Sequence, residues 1–299
     1  MFKDLKKIKK LYDGGINIIE YIKKSSDSDT NTSEMIMISY DFQTGNYIQK
    51  ALQNPEWENK YSTAYTKVLN QLGECDSILE VGVGEATTLF NIVSRILNVP
   101  SNIFGFDISY SRIKYAMNYL IKNNIKKSTL FLGDLFNAPI QDNAIDLVYT
   151  SHSLEPNGGH EKEALFELYR ITKKYLVLFE PMYELASDKS KKYMEKHGYI
   201  RNLYTVAVEL GYKVIEYKII FESNPYSLNN TGVLIIEKNS NDKVNVANPL
   251  VCLVTKAPLE LIRNNYYCRE SLLLYPIVDQ IPCLLPENAI VATHYLNDL

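Results

Sequence analysis

Two glycines, Gly82 and Gly84, separate a short apolar run at residues 78–81 from a segment with helical spacing of its apolar residues. At such a turn glycine lets a ligand approach the backbone closely, and the start of the following helix offers partly positive amide groups. Acidic Glu80 precedes the first glycine by two residues, and Thr87 stands where the G-x-G-x-x-G nucleotide-binding turn has its third glycine. A carboxylate there suits a cationic ammonium group better than a pyrophosphate. The segment therefore predicts a site for a nucleoside that carries an amino-acid group.

Two more carboxylates follow the next two apolar runs. Asp107 ends the run at residues 102–107 and lies 25 residues after Gly82, close to the about 20 at which an acceptor of ribose hydroxyl groups is expected. Asp134 follows the run at residues 128–132, where it can accept a hydrogen bond from an adenine amino group. Either aspartate could instead cap a helix or close a turn. We expect both at the edge of the sheet where parallel strands end and ligands bind.

The fourth apolar run, residues 144–150, leads into the candidates for proton transfer. His152, with an ordinary pKa of about 6.5, is the predicted general base; the alternative is that it shapes the pocket or helps to hold adenine. Glu155 is predicted to orient this histidine or, alternatively, to stabilise the loop. His160 is a second candidate base, and Glu180, after the fifth run, is a candidate contact of the reacting molecule. We predict no metal ion at this site.

Apolar runs that alternate with helical segments predict the fold. This βαβ pattern is typical of an α/β protein with a doubly wound, mostly parallel sheet of seven strands. The predicted strands lie at residues 77–81, 102–107, 128–132, 144–150, 175–180, 213–220 and 231–237. We expect an N-terminal helical arm and lid at residues 1–72, a nucleoside-binding domain at 73–240 and a small β-rich domain at 248–299. The polar stretches at residues 25–33 and 239–243 predict linkers.

The lid is rich in aromatic residues between positions 40 and 65, which indicates an element beside the substrate. Residues 1–24 carry seven lysines and three acidic residues, a local charge of 7 − 3 = +4. Their apolar residues recur at helical spacing and predict two short amphipathic helices. We expect this arm to dock on its own protein; the alternative is peripheral contact with an anionic membrane or a partner.

The composition excludes several classes of protein. Hydrophobic residues make up 46% of the 299 residues and charged residues 22%, as in folded soluble proteins. The formal net charge of −3 gives no general attraction to phosphate backbones, so neither DNA nor RNA is expected as a partner. Four cysteines and an N-terminus without an apolar signal segment predict a cytoplasmic protein without disulfides.

The motifs at the ends of the first four predicted strands occur together in one known superfamily. They are Glu80-Val81-Gly82-Val83-Gly84, Gly105-Phe106-Asp107, Gly133-Asp134 and Asp146-Leu147-Val148-Tyr149. Over residues 76–182 the chain resembles the class I S-adenosylmethionine (SAM)-dependent methyltransferases, which implies a Rossmann-like methyltransferase fold and SAM as the cofactor. The cofactor-binding residues that this resemblance implies are Glu80, Gly82, Gly84, Glu85, Asp107, Ile108, Asp134, Leu135 and Ser151. Ala86 stands where the family has its last glycine, so the geometry of this loop is expected to differ from that of the family.

The loop after the fourth strand narrows the expected reaction. Residues 151–155 resemble the S-x-x-L-E stretch of small-molecule methyltransferases, with Pro156 in place of the usual histidine. We therefore expect methyl transfer from SAM to a small-molecule or saccharide acceptor, at a hydroxyl group. The alternatives are a methyltransferase that acts on RNA or protein, and a non-catalytic scaffold. A nicotinamide-dependent oxidoreductase fits Glu80 and Thr87 poorly.

The C-terminal segment resembles a second family. Residues 248–290 are similar to the zinc ribbons that include the activator subunit of RNA and release-factor methyltransferases, most clearly at residues 275–285. Two of the four positions that bind zinc in that family hold Cys252 and Cys268, but Thr255 and Ser271 occupy the other two. Structural zinc requires four nitrogen or sulfur ligands. The resemblance therefore implies a degenerate zinc-ribbon-like domain without metal, fused to the enzyme as a packing or activating module.

Overall fold

Seven strands form the central sheet in the computed structural model, which describes residues 4–26, 30–221, 228–238, 240 and 248–297. The strands are β1 Ser77–Val81, β2 Asn102–Asp107, β3 Ser128–Leu132, β4 Ile145–Ser151, β5 Thr172–Pro181, β6 Lys213–Phe221 and β7 Thr231–Glu237. Their order is β3-β2-β1-β4-β5-β7-β6; β1 to β5 run parallel to one another, and β7 is antiparallel to β5 and β6. The predicted mostly parallel, doubly wound sheet is confirmed.

Helices surround this sheet and precede it. Those in the described residues are α1 Leu5–Asp13, α2 Ile18–Ser26, α3 Ser33–Phe42, α4 Asn46–Gln53, α5 Pro55–Leu69, α6 Thr87–Val93, α7 Tyr110–Lys122, α8 Glu161–Ile171, α9 Asp188–His197 and α10 Leu203–Glu209. All five residues of β1 are buried, as expected for a central strand that is covered on both faces. The strand order reverses between β1 and β4, which places a ligand-binding crevice at the ends of these two strands.

The loop between β1 and α6 is held by its glycines. Gly82 has φ +69°, a conformation that favours glycine, and a Cβ at this position would overlap the side chain of Ser153. Ala86 also has positive φ (60°) directly before α6. The helix α6 is short and ends at Val93. The loop therefore turns tightly at the carboxyl end of β1.

The N-terminal arm packs on the protein itself. The helices α1, α2 and α3 share a small apolar core that contains the buried side chains of Ile8, Ile18, Ile22 and Met35. The lysines of the arm lie mostly on its exposed surface. The apolar face of each arm helix is therefore covered within the chain.

The predicted polar linker at residues 25–33 is wrong in part. Thr32 caps α3 through its side chain, and Asn31 is only 5% exposed. The Asn31 Nδ2 atom donates a hydrogen bond to the Pro156 carbonyl (2.7 Å), which lets a polar side chain be buried. The middle of this stretch, residues 27–29, lies outside the described residues.

The C-terminal segment is β-rich, as predicted. It contains β8 Glu260–Ile262, β9 Asn265–Cys268, β10 Leu273–Tyr275, β11 Ile277–Val278, β12 Ile281–Pro282 and β13 Ile290–Val291. Four of these strands form an antiparallel sheet in the order β13-β10-β9-β8, and β11 pairs with β12. Of the second predicted linker, residues 239–243, only residue 240 is described.

This segment docks on the β3 edge of the central sheet. Cys283 pairs in parallel with Leu132 at the end of β3, and the Leu284 amide donates to the Leu132 carbonyl (3.2 Å). Ile140 and Leu250 form a second bridge between the two parts. Leu284 is fully buried in the same apolar core as the central sheet. The C-terminal segment thus covers an edge that would otherwise expose unpaired backbone groups.

In the part of the chain that the structure describes, no helix is long and apolar enough to cross a membrane.

We predict that the C-terminal segment and the central sheet unfold as one cooperative unit. Leu284→Ala should lower the free energy of unfolding by about 2–5 kcal/mol, because it leaves a cavity in the shared core. The matched control Leu261→Ala, at a side chain that is 61% exposed in the same segment, should change it by less than about 0.5 kcal/mol. Urea unfolding followed by circular dichroism measures both. Two separate transitions in the wild type would contradict the shared core.

Candidate active site

A cavity opens at the carboxyl ends of β1 to β4, beneath α3 and α4. Six of the nine predicted cofactor-binding residues line this first cavity: Gly82, Asp107, Ile108, Asp134, Leu135 and Ser151. His152 lines it as well. The structure thus brings together residues from four strand ends that are far apart in the sequence.

The carboxylate of Asp107 is fixed in direction by the backbone. Its Oδ2 atom accepts a hydrogen bond from the Gly84 amide (3.0 Å) and its Oδ1 atom one from the Ser109 amide (2.9 Å). A carboxylate has about four lone-pair sites, so two remain for a ligand in the cavity. Asp134 is held similarly, because its Oδ1 atom accepts from the Phe136 amide (2.9 Å), and burial raises its pKa. Both aspartates can accept hydrogen bonds from a ligand.

Glu80 and Gly84 do not line the cavity. Glu80 is 2% exposed, and its Oε2 atom accepts a hydrogen bond from the Tyr149 hydroxyl (2.9 Å). Burial raises the pKa of Glu80 to about 8. The carboxyl group expected to meet an ammonium group is therefore turned into the protein, where it supports the loop from below.

Glu85 also points away from the first cavity. Its carboxylate accepts hydrogen bonds from the backbone amides of Gly45 (2.9 Å), Tyr47 (3.4 Å) and Ile48 (2.9 Å). A negative charge at the first amides of a helix satisfies donors that lack a partner and interacts favourably with the helix dipole. Glu85 thus anchors the start of α4 over the site.

A second cavity adjoins the first and has a volume of about 720 Å³. Its aromatic lining comes from Tyr40, Tyr47, Trp57, Tyr61 and Phe221. The two cavities have Tyr40, Tyr47, Ser151 and His152 in common. The volume is within the about 300–1,000 Å³ of typical small-molecule sites. The aromatic lid residues predicted beside the substrate therefore lie in its wall.

His152 stands where the two cavities meet, with a positive φ of 51°. Its Nδ1 atom is 2.8 Å from Glu155 Oε2, and its Nε2 atom is 2.8 Å from Thr231 Oγ1. Since an ionised carboxylate only accepts hydrogen bonds, Nδ1 carries the proton and Nε2 is the acceptor in the neutral ring. Burial lowers the pKa of His152, but the hydrogen bond and charge of Glu155 raise it more, so the pKa lies above its ordinary value.

Buried Glu180 positions the loop that carries this histidine. Its Oε1 atom accepts hydrogen bonds from the amides of Ser153 (3.0 Å) and Leu154 (3.1 Å). Burial raises the pKa of Glu180 to about 7. It lines neither of the two cavities, so its contact is with the loop and not with the reacting molecule.

His160 lies apart from these groups. It directly precedes α8, and its ring packs against Phe136 with a centroid distance of 5.6 Å. It lines neither cavity. The structure therefore brings Glu155, but not His160, to His152.

Arg112 lines the first cavity and was missed in the sequence. It lies in the first turn of α7, five residues after Asp107. Neither its spacing nor its residue type distinguishes it from the other cations on helices. Only the fold shows that its side chain enters the cavity.

The four zinc-ribbon positions of the C-terminal segment lie together. Cys252 Sγ is 3.2 Å from Ser271 Oγ, and Thr255 Oγ1 is 3.6 Å from Cys268 Sγ. Among the residues that the structure describes, no three metal-binding side chains of the types His, Cys, Asp and Glu cluster together. Contacts between thiols and hydroxyls occupy the place where the related zinc ribbons bind their metal.

Stability should fall as the pH rises from about 5 to 8. Glu80 and Glu180 bind protons more tightly in the folded state than in the unfolded state, where their pKa is about 4.3, so the folded state holds more protons in this range and loses stability as they dissociate. Glu180→Gln removes one of these groups. The free energy of unfolding should then fall by about 1–3 kcal/mol less between pH 5 and 8 than it does in the wild type. Urea unfolding at each pH measures the effect, with exposed Glu163→Gln as the control. Equal pH dependence in Glu180→Gln and wild type would contradict the raised pKa.

Comparison with known proteins identifies the central part of the chain. A family model described as "Methyltransferase domain" matches residues 73–223. A SAM-dependent methyltransferase from Aquifex aeolicus aligns with a TM-score of 0.42 and 17% identity, over 57% of this chain and 87% of that one. A chain from a complex between the Haloferax volcanii Trm112 methyltransferase activator and a methyltransferase aligns with a TM-score of 0.51 and 15% identity, over 67% of this chain and 98% of that one. The latter supports the fold.

The C-terminal part is similar to a different protein. A "UPF0434 protein" of Nitrobacter winogradskyi is 55% identical over 42 residues, which are 13% of this chain. The match spans 64% of the length of that relative. The family model, in contrast, covers just over half of the chain and includes β1 to β6. The chain therefore belongs to the methyltransferase domain family.

Proposed function

We propose that the first cavity binds SAM, that the second binds a small-molecule or saccharide acceptor, and that a hydroxyl group of this acceptor receives the methyl group. The observation that carries the proposal is the wall common to both cavities, which contains His152 and Ser151. A donor and an acceptor bound on either side of this wall would meet beside a group that can accept a proton.

The residues of the first cavity fit the chemistry of SAM. Asp107 and Asp134 have free acceptor sites for the ribose hydroxyls and the adenine amino group, and Ile108 and Leu135 offer apolar sides for the adenine ring. Gly82 permits close approach to the backbone. The cavity volume of about 120 Å³ is below the about 300 Å³ at which ligand sites typically begin. Binding would therefore move the lid helices α3 and α4 outward.

The reaction needs alignment and removal of a proton. SAM supplies an electrophilic methyl group on a sulfonium sulfur. The loop of β4 would align the acceptor with it, and His152 Nε2 would accept the proton of the acceptor hydroxyl in place of the Thr231 hydroxyl. Glu155 would keep Nδ1 protonated and stabilise the charged ring that results. His152 and Glu155 thus act as base and positioning residue.

The lining of the second cavity supports a ring-bearing acceptor. Trp57 and Tyr47 are 39% and 38% exposed, and such flat faces can stack on sugar or aromatic rings. Lys50, Asn54 and Asn229 add polar groups that can select hydroxyls. A small number of placed polar groups among apolar ones is typical of small-molecule sites.

A second candidate is a macromolecular acceptor, RNA or protein. It is favoured by the C-terminal segment, which is similar to a family with activator subunits and touches both sides of the Asp134 loop. Cys283 pairs with Leu132 before this loop, and Lys256 Nζ donates to Asn137 Oδ1 (2.7 Å) within it. By these contacts the segment would stabilise the adenine-binding loop whichever acceptor is used.

Removal of the predicted general base, His152, should abolish most of the methyl-transfer activity. His152→Asn keeps a residue that tolerates positive φ and should lower kcat about 100-fold to 10,000-fold, the usual contribution of a general base. The assay is formation of S-adenosylhomocysteine with a panel of saccharides and hydroxyl-bearing small molecules. Undiminished kcat in a folded His152→Asn variant would remove His152 from catalysis.

Glu155→Gln should lower the pKa of His152, because the neutral amide no longer stabilises the charged ring. The acid limb of the kcat/KM profile should then move to lower pH. Proton NMR of the histidine ring measures the same shift without an acceptor, and the spectrum of His152→Asn assigns the signal. An unchanged His152 titration in Glu155→Gln would contradict the coupling of these two residues.

Asp107→Asn should weaken SAM binding by about 1.5–3 kcal/mol, since hydrogen bonds to a charged acceptor are worth about that much. Isothermal titration calorimetry gives the dissociation constant. Asp188→Asn, at an exposed position of α9, is the matched control and should bind as the wild type does. Equal affinity of Asp107→Asn and wild type would place the ribose elsewhere.

A further inference from the structure

Arg112 is a buried cation without a close ion pair among the described residues, although Asp107 attracts its charge and Tyr47 forms a hydrogen bond with it. The residue is 8% exposed and lines the first cavity. In the described part of the chain no carboxylate oxygen lies within 4.0 Å of its guanidinium, and its Nε atom is buried without a hydrogen-bond partner. A buried charge is costly unless it is closely paired and fully hydrogen-bonded. The position therefore calls for an anionic ligand.

The surroundings hold the guanidinium in place. Its centre lies 4.6 Å from the ring of Tyr47 and 5.2 Å from the ring of Tyr40, within the range of cation–π attraction. Both tyrosines belong to the lid that covers the cavity. The side chain thus has little freedom and is oriented before a ligand binds.

Gly84 makes the room for this arginine. A Cβ at Gly84 would lie 2.8 Å from the Arg112 Nη2 atom. The guanidinium therefore lies against the backbone of the glycine loop. It is on the same side as Asp107, whose carboxylate contacts the Gly84 amide (3.0 Å).

We propose that Arg112 binds the carboxylate of the methionine part of SAM and is a specificity-determining residue for the cofactor. This inference rests on the assignment of the first cavity to SAM. The carboxylate is the only anionic group of that cofactor. Asp107 and Asp134 repel anions and would hold the ribose and adenine, which leaves Arg112 at the glycine loop as the cation for the amino-acid end. A guanidinium can bind a carboxylate through two parallel hydrogen bonds.

Arg112 also connects the bound cofactor to the lid helices α3 and α4. Tyr40 and Tyr47 rest on Arg112, and the start of α4 is fixed by Glu85. A carboxylate that pairs with Arg112 would hold the guanidinium in the orientation on which both rings pack. After the outward shift that cofactor binding requires, the lid would be held more firmly over SAM than over a ligand without the carboxylate.

The first test changes the ligand and leaves the protein intact. Calorimetry of the full chain with SAM, with decarboxylated SAM and with 5′-methylthioadenosine should show SAM binding at least about tenfold more tightly than decarboxylated SAM. Equal affinity for SAM and decarboxylated SAM would overturn the role of Arg112. Failure of all three ligands to bind would instead overturn the assignment of the cavity to SAM.

The second test changes the arginine. Arg112→Met should lower the affinity for SAM about tenfold or more and leave that for 5′-methylthioadenosine nearly unchanged; Arg112→Lys should recover part of the loss. Arg269→Met, at an exposed position of the C-terminal segment, is the matched control. An equal loss of affinity for both ligands in Arg112→Met and Arg112→Lys would mean that Arg112 only supports the lid, and would contradict the proposal.

Discussion

The close contact between the Gly82 backbone and the Ser153 side chain joins the ends of β1 and β4. The Ser153 hydroxyl donates to the Val81 carbonyl (2.7 Å), and a side chain at Gly82 would overlap Ser153. This contact fixes the loop that carries His152 against the glycine loop. The two cavities meet at His152, which this loop carries. The geometry of the site therefore depends on a glycine that has no chemical role of its own.

Buried carboxyl groups hold the other loops of the site and the start of α4 in place. Glu80 supports the glycine loop, Glu85 fixes the start of α4, and Glu180 holds the amides next to His152. Two of these groups have pKa values raised by burial, to about 8 for Glu80 and about 7 for Glu180. Such burial costs stability at neutral pH. At the site, the same buried carboxyl groups fix the orientation of loops that have no regular secondary structure.

The fold was largely predictable from the sequence, because apolar runs and glycine turns are local signals of strands and their ends. Asp107 and Asp134 were found for the same reason, since one ends a strand and the other comes two residues after the end of a strand. The use of Glu85 and the entry of Arg112 into the cavity were not predictable. Each depends on a partner about 40 to 70 residues away in sequence, such as Gly45 for Glu85 and Tyr40 for Arg112, and no local pattern encodes that distance.

The central claim is that the first cavity binds an adenosyl ligand with an amino-acid end. Calorimetric titration of the purified, cofactor-free protein with S-adenosylhomocysteine, with NAD as the control, tests it most directly. S-adenosylhomocysteine has the ribose, the adenine and the amino-acid group but no methyl group to transfer, so no acceptor is needed. The account predicts saturable micromolar binding of S-adenosylhomocysteine and none of NAD. Binding of NAD alone, or of neither ligand, would contradict it.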